Sequence, residues 1–142
     1  MKNSLSQARR DDIKESFSRQ GFLLTFGAEM AALEYGRCVL RLPFGSQAAQ
    51  QHGFFHGGLM GALGDVAGGY AAMSVADAGD VLTVDYTISF LRPGRGDLLE
   101  ATGSVLRPGQ TLTATRADVH VRDGDELKLV AAIQQTIMHT RP

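Results

Sequence analysis

The fold of this chain is decided by the stretch HGGLMGALGDVAGGYAAMS, residues His56 to Ser74. The stretch is rich in Leu, Met, Ala and Val and is longer than a typical strand, so we predict one long helix over residues 57–76. Asp65 is its one charged residue, and no basic residue in the stretch neutralises it. A carboxylate on a buried helix must be paired, hydrogen-bonded or chemically active, because burying an uncompensated charge is costly. We therefore take Asp65 as the leading catalytic candidate, with capping or pairing in a dimer interface as the alternative.

Several glycines lie within this predicted helix, although each internal glycine lowers helix stability by about 1 kcal/mol relative to alanine. Gly57, Gly61, Gly64 and Gly68 are spaced by four, three and four residues, which places them on one stripe that borders Asp65. Two interpretations remain open. The glycines allow the helix to pack closely on a sheet, or they clear space beside the acid for a ligand and a second helix.

Composition predicts one soluble domain over residues 1–142, because 44% of the residues are hydrophobic, 20% are charged and the net charge is −1. The near-neutral balance, with no cluster of Lys or Arg, argues against nucleic acid or a membrane as a partner. We expect a cytoplasmic protein, since no stretch has the pattern of a signal peptide or a membrane span. Cys38 has no cysteine to pair with, so we expect a packing or surface role. The spacing of histidines and carboxylates predicts no metal site.

The rest of the chain is predicted to form a short helix and several strands. The helix lies at about residues 6–20, and the predicted strands cover residues 22–26, 35–42, 81–91, 98–106, 111–121 and 127–139. Turn signals such as Asp123-Gly124 separate the last runs and indicate an antiparallel meander. These elements predict an α+β fold in which the long helix covers a strongly curved sheet. Periodicity alone leaves other α+β sandwiches open.

A family resemblance narrows the fold. The pattern Gln50-x-x-Gly53-x-x-His56-Gly57-Gly58, followed by Asp65, is similar to the signature of hotdog-fold acyl-CoA thioesterases, and most similar to the PaaI-like phenylacetate-pathway group. The resemblance spans residues 21–139, and it implies a curved antiparallel sheet wrapped around a long central helix. This sequence departs from the group at two positions. Gln50 replaces a frequent asparagine, and Gly69 stands where some relatives carry a hydroxyl residue.

The resemblance implies hydrolysis of an acyl-CoA thioester, with coenzyme A present only as part of the substrate and no other cofactor. Asp65 is then the general base or the nucleophile. The Gly57 N–H, at the start of the helix, is the expected oxyanion donor, because free N–H groups and the positive dipole end lie there. Gln50 is expected to orient the water or the thioester, and His56 to shape the loop.

Four residues are candidates for substrate binding: Gly58, Phe54, Phe55 and Arg92. The two phenylalanines beside His56 are candidates for an acyl pocket, and they make an aromatic acyl group the first expectation; core packing is the alternative. Arg92 lies at a predicted turn and, with Arg95 and Arg107, is a candidate for coenzyme A phosphates. Arginines at turns are more commonly only solvated.

The spacing of Gly57 and Asp65 predicts an oligomer. Eight residues of helix separate their backbones by about 12 Å at 1.5 Å per residue, which is too far for both to act on one carbonyl. In a twofold dimer with antiparallel helices, Gly57 of one chain can face Asp65 of the other. The resemblance implies the same dimer, commonly assembled into a tetramer, so we expect a homodimer that forms a homotetramer.

Three other functions remain open at this point. A hotdog dehydratase pairs a histidine with a carboxylate, as His56 and Asp65 could, but the proline-rich loop of dehydratases is missing. The motif of hotdog hydratases, an acid followed by Asn-Pro and a histidine, is also absent. A non-catalytic acyl-CoA sensor is disfavoured by Asp65 but is not excluded.

Overall fold

A computed structural model describes residues 3–141. Three α-helices and six strands make up the ordered elements, with a 3-10 turn at Ser46–Ala48. The helices are α1 (Gln7–Phe17), α2 (Gly21–Thr25) and α3 (Gly57–Ser74). The strands are β1 (Glu29–Glu34), β2 (Arg37–Pro43), β3 (Val81–Phe90), β4 (Leu98–Arg107), β5 (Leu112–Asp123) and β6 (Glu126–His139).

The strands form one antiparallel sheet in the order β1-β2-β4-β5-β6-β3. Hairpins join β4 to β5 and β5 to β6, and β3 reaches the far edge by pairing with β6. The long helix α3 packs across the sheet and contacts all six strands. Leu63 and Ala67 of α3 meet Leu99, Ala101 and Val119 of the sheet in one buried core. The predicted α+β arrangement of a curved sheet around a central helix is therefore confirmed.

Glycines bring the helix backbone onto the sheet at two points. A Cβ at Gly64 would overlap the side chain of Ile133 on β6. On the strand side, a Cβ at Gly103 of β4 would overlap the backbone of Ala67 in α3. The close-packing interpretation therefore holds for Gly64.

The predicted strand at residues 22–26 is wrong, because this segment forms helix α2. The Leu24 N–H donates to the Gln20 carbonyl at 3.0 Å, and the Thr25 hydroxyl donates to the Gly21 carbonyl at 2.8 Å. Leu23 is buried while Phe22 stays exposed, so only one side of the turn contacts the core. A run of apolar residues this short does not distinguish a strand from one buried helical turn. The first strand instead lies later, at β1.

The other boundaries moved by a few residues. The N-terminal helix runs over Gln7–Phe17. Ser6 caps its start, and the Ser6 hydroxyl accepts from the Arg9 N–H at 3.1 Å. The strand expected at residues 35–42 is β2, and the central helix ends at Ser74 rather than at residue 76.

Arg9 fixes helix α1 against the end of α3. Its guanidinium donates to the carbonyls of Met73, Ala76 and Gly79 at 2.9 to 3.2 Å. Burial lowers the pKa of Arg9, and the carboxylates of Asp12, Asp80 and Asp77 oppose that shift. Because the last carbonyls of a helix carry its negative dipole end, a cation is favoured there.

Candidate active site

Asp65 lies half-buried in the middle of α3, where two neutral side chains bind its carboxylate. The Thr83 hydroxyl donates to Oδ1 at 2.7 Å, and the Gln135 amide donates to the same oxygen at 2.9 Å. Within residues 3–141 no cation forms an ion pair with Asp65, and no donor reaches Oδ2. The carboxylate is therefore anchored by one oxygen, and its other oxygen has no protein partner among residues 3–141.

Thr83 and Gln135 were missed by sequence reasoning because they lie 18 and 70 residues from Asp65. Gln135 is only 2% exposed and sits between Ile133 and Ile137 on the buried face of β6. Its position in an alternating pattern was a usable signal, since a polar residue at an inward position needs a partner.

The acid opens into a first cleft of about 520 Å³ between α1, α3 and the start of β3. Its lining combines apolar and polar side chains: Ser16, Arg19, Gln20, Asp65, Val66, Gly69, Tyr70, Met73, Asp80, Val81, Leu82 and Thr83. A Cβ at Gly69 would meet only Val81, at 3.8 Å, so this position leaves the cleft open. The hydroxyl beside the acid comes instead from Thr83 on β3.

The start of α3 presents a free backbone donor. His56 is the residue that caps the helix, and its Nδ1 accepts from the Gly58 N–H at 2.8 Å. The His56 N–H donates to the Ala48 carbonyl at 2.8 Å, which holds the preceding loop. Among the residues that the structure describes, none accepts a hydrogen bond from the Gly57 N–H. The cap therefore uses the Gly58 donor and leaves the Gly57 donor available.

The two ends of the Gln50 side-chain amide have different surroundings. Its Oε1 accepts from the N–H groups of His52 at 2.5 Å and Phe54 at 3.3 Å. No described residue accepts from its Nε2. The carbonyl end of the amide thus organises the loop, and the NH₂ end can donate to a ligand.

Gln50 and Gly57 belong to a second cleft of about 490 Å³. Its lining is Gln50, His52, Phe54, Phe55, Gly57, Met60, Phe90, Leu91, Arg92, Pro93 and Gly94. Asp65 lines the first cleft and Gly57 the second, so one chain does not bring the two groups to one cavity.

Of the four predicted binding residues, Gly58 lines neither of these clefts, and the other three lie at the second cleft with different exposures. Phe55 is 2% exposed and packs edge-on against Phe44, with ring centroids 5.1 Å apart, so it belongs to the core as well as to the cleft. Phe54 is half-buried in the wall. Arg92 is exposed at the rim and donates to the Leu129 carbonyl at 2.8 Å. Arg95 and Arg107 line neither cleft.

Two absences within residues 3–141 complete the description of the site. No three His, Cys, Asp or Glu side chains in that range come together in a way that could hold a metal ion. None of the described helices is both long and apolar enough to cross a membrane.

Comparison with known proteins identifies the family. Residues 52–128, more than half of the chain, match the Thioesterase superfamily, and the chain belongs to this family. A thioesterase family protein of Silicibacter pomeroyi has a similar structure, with a TM-score of 0.92 and 33% identity over 94% of this chain and 99% of that one. A protein of Saccharolobus solfataricus, named only provisionally as an esterase, is 32% identical over 79% of this chain and 81% of its own.

The Escherichia coli PaaI protein, from the phenylacetic acid degradation operon, shares the fold. Its TM-score is 0.86 at 24% identity, over 97% of each chain. The fold of the present chain is thus the hotdog fold, as the resemblance implied, and its general chemistry is thioester hydrolysis.

Proposed function

We propose that this chain hydrolyses acyl-CoA thioesters to the free acid and coenzyme A in a twofold dimer. In each active site, Gly57 of one protomer and Asp65 of the partner subunit act on the same thioester carbonyl. The observation that carries the proposal is the asymmetric carboxylate of Asp65, whose Oδ1 is held by two neutral donors while Oδ2 has no donor within the described chain. An unpaired oxygen on a carboxylate that lines a cleft is available for proton abstraction or nucleophilic attack.

The helix start supplies the electrophilic side of the site. The thioester oxygen would accept from the free Gly57 N–H, and the positive dipole end of α3 would stabilise the charge that develops on that oxygen. One such donor typically contributes about 10²–10³-fold in rate. The free Nε2 of Gln50 lines the same cleft and would donate to the thioester or to the attacking water.

Two routes use the Asp65 carboxylate. As a general base, Oδ2 takes a proton from water while the water oxygen bonds to the acyl carbon. As a nucleophile, Oδ2 bonds to the acyl carbon to give a mixed anhydride, which water then hydrolyses. In both routes the carbon–sulfur bond breaks, the coenzyme A thiolate leaves and takes up a proton, and water supplies the new acid oxygen.

The exposed strand β3 supports the dimer. It lies at the edge of the sheet, and Leu82, Val84, Tyr86 and Phe90 on it are 42% to 59% exposed. A long, exposed, apolar edge strand is a template for pairing with another chain. Pairing of two β3 strands about a twofold axis would set two α3 helices side by side in opposite directions and bring Gly57 towards Asp65 of the partner subunit. A tetramer of such dimers remains an expectation from the family resemblance.

We propose an aromatic acyl group as the substrate class. The PaaI protein shares this fold and comes from a phenylacetic acid degradation operon, which points to aryl-acetyl thioesters as substrates. The first cleft offers Val66, Tyr70 and Met73 as an apolar wall beyond Asp65. Arg92 lies at the rim of the second cleft, and its guanidinium would bind a phosphate of coenzyme A.

The test is thiol release from a panel of thioesters that includes phenylacetyl-CoA, benzoyl-CoA and straight-chain acyl-CoAs. We expect multiple turnovers with the wild-type protein, fastest with the aromatic substrates. Calorimetric binding of acyl-CoA without thiol release would instead identify a sensor. Dehydration of a 3-hydroxyacyl-CoA without thiol release would identify a dehydratase.

A further inference from the structure

We propose that Gln135 is a positioning residue that fixes the Asp65 carboxylate so that Oδ2 points into the cleft. The effect of this positioning on catalysis rests on the proposed function. The hydrogen bonds between Gln135 and Asp65 do not depend on that proposal. Gln135 lies on β6, 70 residues from Asp65, and bonds both to the side chain and to the backbone of Asp65.

The chemistry of the neighbours fixes the orientation of the Gln135 amide. Its Nε2 lies 2.9 Å from the Asp65 carbonyl and 2.9 Å from Asp65 Oδ1. Both of these atoms only accept hydrogen bonds, so the NH₂ end must face them. The Oε1 end therefore faces Thr115, whose hydroxyl donates to it at 2.9 Å. A chain of donors thus runs from Thr115 through Gln135 to Asp65.

The Thr115–Gln135 part of this hydrogen-bond chain is enclosed by protein. Thr115 is fully buried and Gln135 is 2% exposed. Water therefore has little access to replace a lost contact, and each hydrogen bond in the chain is strengthened by the low dielectric around it. An enclosed network that ends on a single carboxylate oxygen is a device for orienting that carboxylate.

Gly68 makes room for the amide. A Cβ at Gly68 would overlap Gln135 Oε1 and would lie 2.7 Å from Nε2. Gly68 follows Asp65 by three residues, so it lies on the neighbouring turn of α3. The glycine at this position is thus explained by the polar contact to Asp65, in contrast to Gly64, which meets an apolar side chain of the sheet.

The two bonds from one NH₂ group tie the side chain of Asp65 to the backbone of its own helix. Rotation about the Cα–Cβ bond of Asp65 would break the bond to Oδ1 while the bond to the carbonyl remained. Thr83 adds a second donor to the same oxygen. Both restraints act on Oδ1, so the position of Oδ2 follows from them.

The first test replaces Gln135 by methionine, which keeps the volume of the side chain and removes both polar ends. We expect kcat to fall about 10-fold or more, because a small misplacement of a reacting group is costly. We expect KM to change by no more than about twofold, because the groups proposed to bind substrate are untouched. Thr115→Val, which leaves Gln135 in place but removes the donor that orients it, should lower kcat by a smaller factor.

Thr113→Val is the matched control. Thr113 lies two residues from Thr115 on β5, is equally buried, and has its hydroxyl 2.7 Å from His139 Nε2 rather than near Gln135. This variant loses a buried hydroxyl of the same kind and should keep wild-type kcat. If Gln135→Met folds poorly, Thr115→Val compared with Thr113→Val decides the question. Equal kcat in these two variants would overturn the inference.

A double variant and a crystal structure separate this inference from the proposed function. In an Asp65→Asn background, Gln135→Met should cause no further fall in kcat, because its effect passes through Asp65. A further fall equal to that of the single variant would assign Gln135 a structural role only. If the wild-type protein hydrolyses no thioester, the proposed function fails, and the crystal structure of Gln135→Met decides the positioning. An Asp65 carboxylate left in its wild-type place would overturn it.

Discussion

At the scale of single residues, hydrogen bonds rather than a cation hold the charge on Asp65. Thr83 and Gln135 both donate to Oδ1, and no ion pair to this acid is found within residues 3–141. Anchoring by neutral donors keeps one oxygen in place without neutralising the group, which suits a base or a nucleophile better than a structural acid. His56, in contrast, uses its Nδ1 to cap the helix, where it accepts from the Gly58 N–H.

The first prediction concerns Asp65→Asn, which is nearly isosteric but can neither take a proton nor attack the acyl carbon. We expect turnover to fall at least about 10²-fold, with the fold and the oligomeric state unchanged. Thiol release, circular dichroism and size-exclusion chromatography on the same sample measure the three properties. Turnover near the wild-type value would remove Asp65 from the mechanism.

Gln50→Ala should lower turnover less than Asp65→Asn does. The variant removes the free NH₂ end, whose role water can partly fill, and also the carbonyl that accepts from His52 and Phe54. Kinetics of the two purified variants under identical conditions provide the comparison. A larger loss of turnover in Gln50→Ala than in Asp65→Asn would show that Gln50 contributes more to turnover than Asp65.

Cys38 should be inert in the native protein. Its side chain is fully buried, and this burial raises the pKa of its thiol to about 12, with Arg37 acting weakly in the opposite direction. Since the thiolate is the reactive form, we expect no reaction with a disulfide reagent at pH 8 until denaturant is added. The absorbance of the released thiol measures this, and rapid labelling of the native chain would contradict it. An inert Cys38 also keeps the thiol-release assay free of background from the enzyme.

At the scale of elements, the glycines of α3 serve different neighbours along one stripe. Gly64 meets the apolar side chain of Ile133, while Gly68 meets the amide of Gln135. Nearer the helix start, a Cβ at Gly61 would lie 3.1 Å from the Tyr86 hydroxyl, and one at Gly57 would lie 3.0 Å from the Phe90 ring. The C-terminal half of the stripe therefore packs against β6, which carries Ile133 and Gln135. The N-terminal half packs against β3, which carries Tyr86 and Phe90.

The exposed edge of β3 gives the prediction at this scale. We expect the double variant Leu82→Lys with Val84→Lys to be a folded monomer, because two charges on an edge strand oppose pairing with a second copy. It should also lose turnover, since each proposed site needs two chains. Analytical ultracentrifugation and thiol release measure both properties. Leu127→Lys, at another exposed apolar position near the start of β6, is the control and should stay oligomeric. A monomeric wild-type protein with full activity would contradict the shared site.

At the scale of the whole molecule, the proposed function depends on bringing together two clefts that one chain keeps apart. Asp65 lines the cleft beside α1, and Gly57 lines the cleft beside the loop after β3. Along α3 the two residues are separated by about 12 Å, which follows from a rise of 1.5 Å per residue. A twofold axis is the simplest way to join the cleft of one chain to the other cleft of its partner.

Complementation tests this arrangement. An Asp65→Asn chain and a Gly57→Val chain should each be nearly inactive, because the valine side chain would press on Phe90 and obstruct the helix start. A mixed dimer has one site with both lesions and one with neither, so we expect up to about half of wild-type activity. Co-expressed heterodimers, selected by two different tags, provide the sample. Heterodimers as inactive as their parents would place both groups of the site within one chain.

Local sequence determined the central helix, the last four strands and the positions of His56, Gly57 and Asp65 along that helix. The helix follows from a long apolar run, and the strands follow from alternation bounded by turn residues, so neither depends on distant parts of the chain. The assignment at residues 22–26 was wrong because a five-residue, mostly apolar run fits a strand or a helical turn equally well, and contact with the core selected the turn.

Only the tertiary structure decided what holds Asp65. Thr83 and Gln135 reach it because β3 pairs with β6 in one register, with Thr83 opposite Ile137 and Tyr86 opposite Gln135. A shift of that register by one residue would turn Gln135 away from the helix. The chain thus specifies its acid locally, whereas the partners of that acid, the edge position of β3 and the separation of the two clefts follow from how distant strands pair around α3.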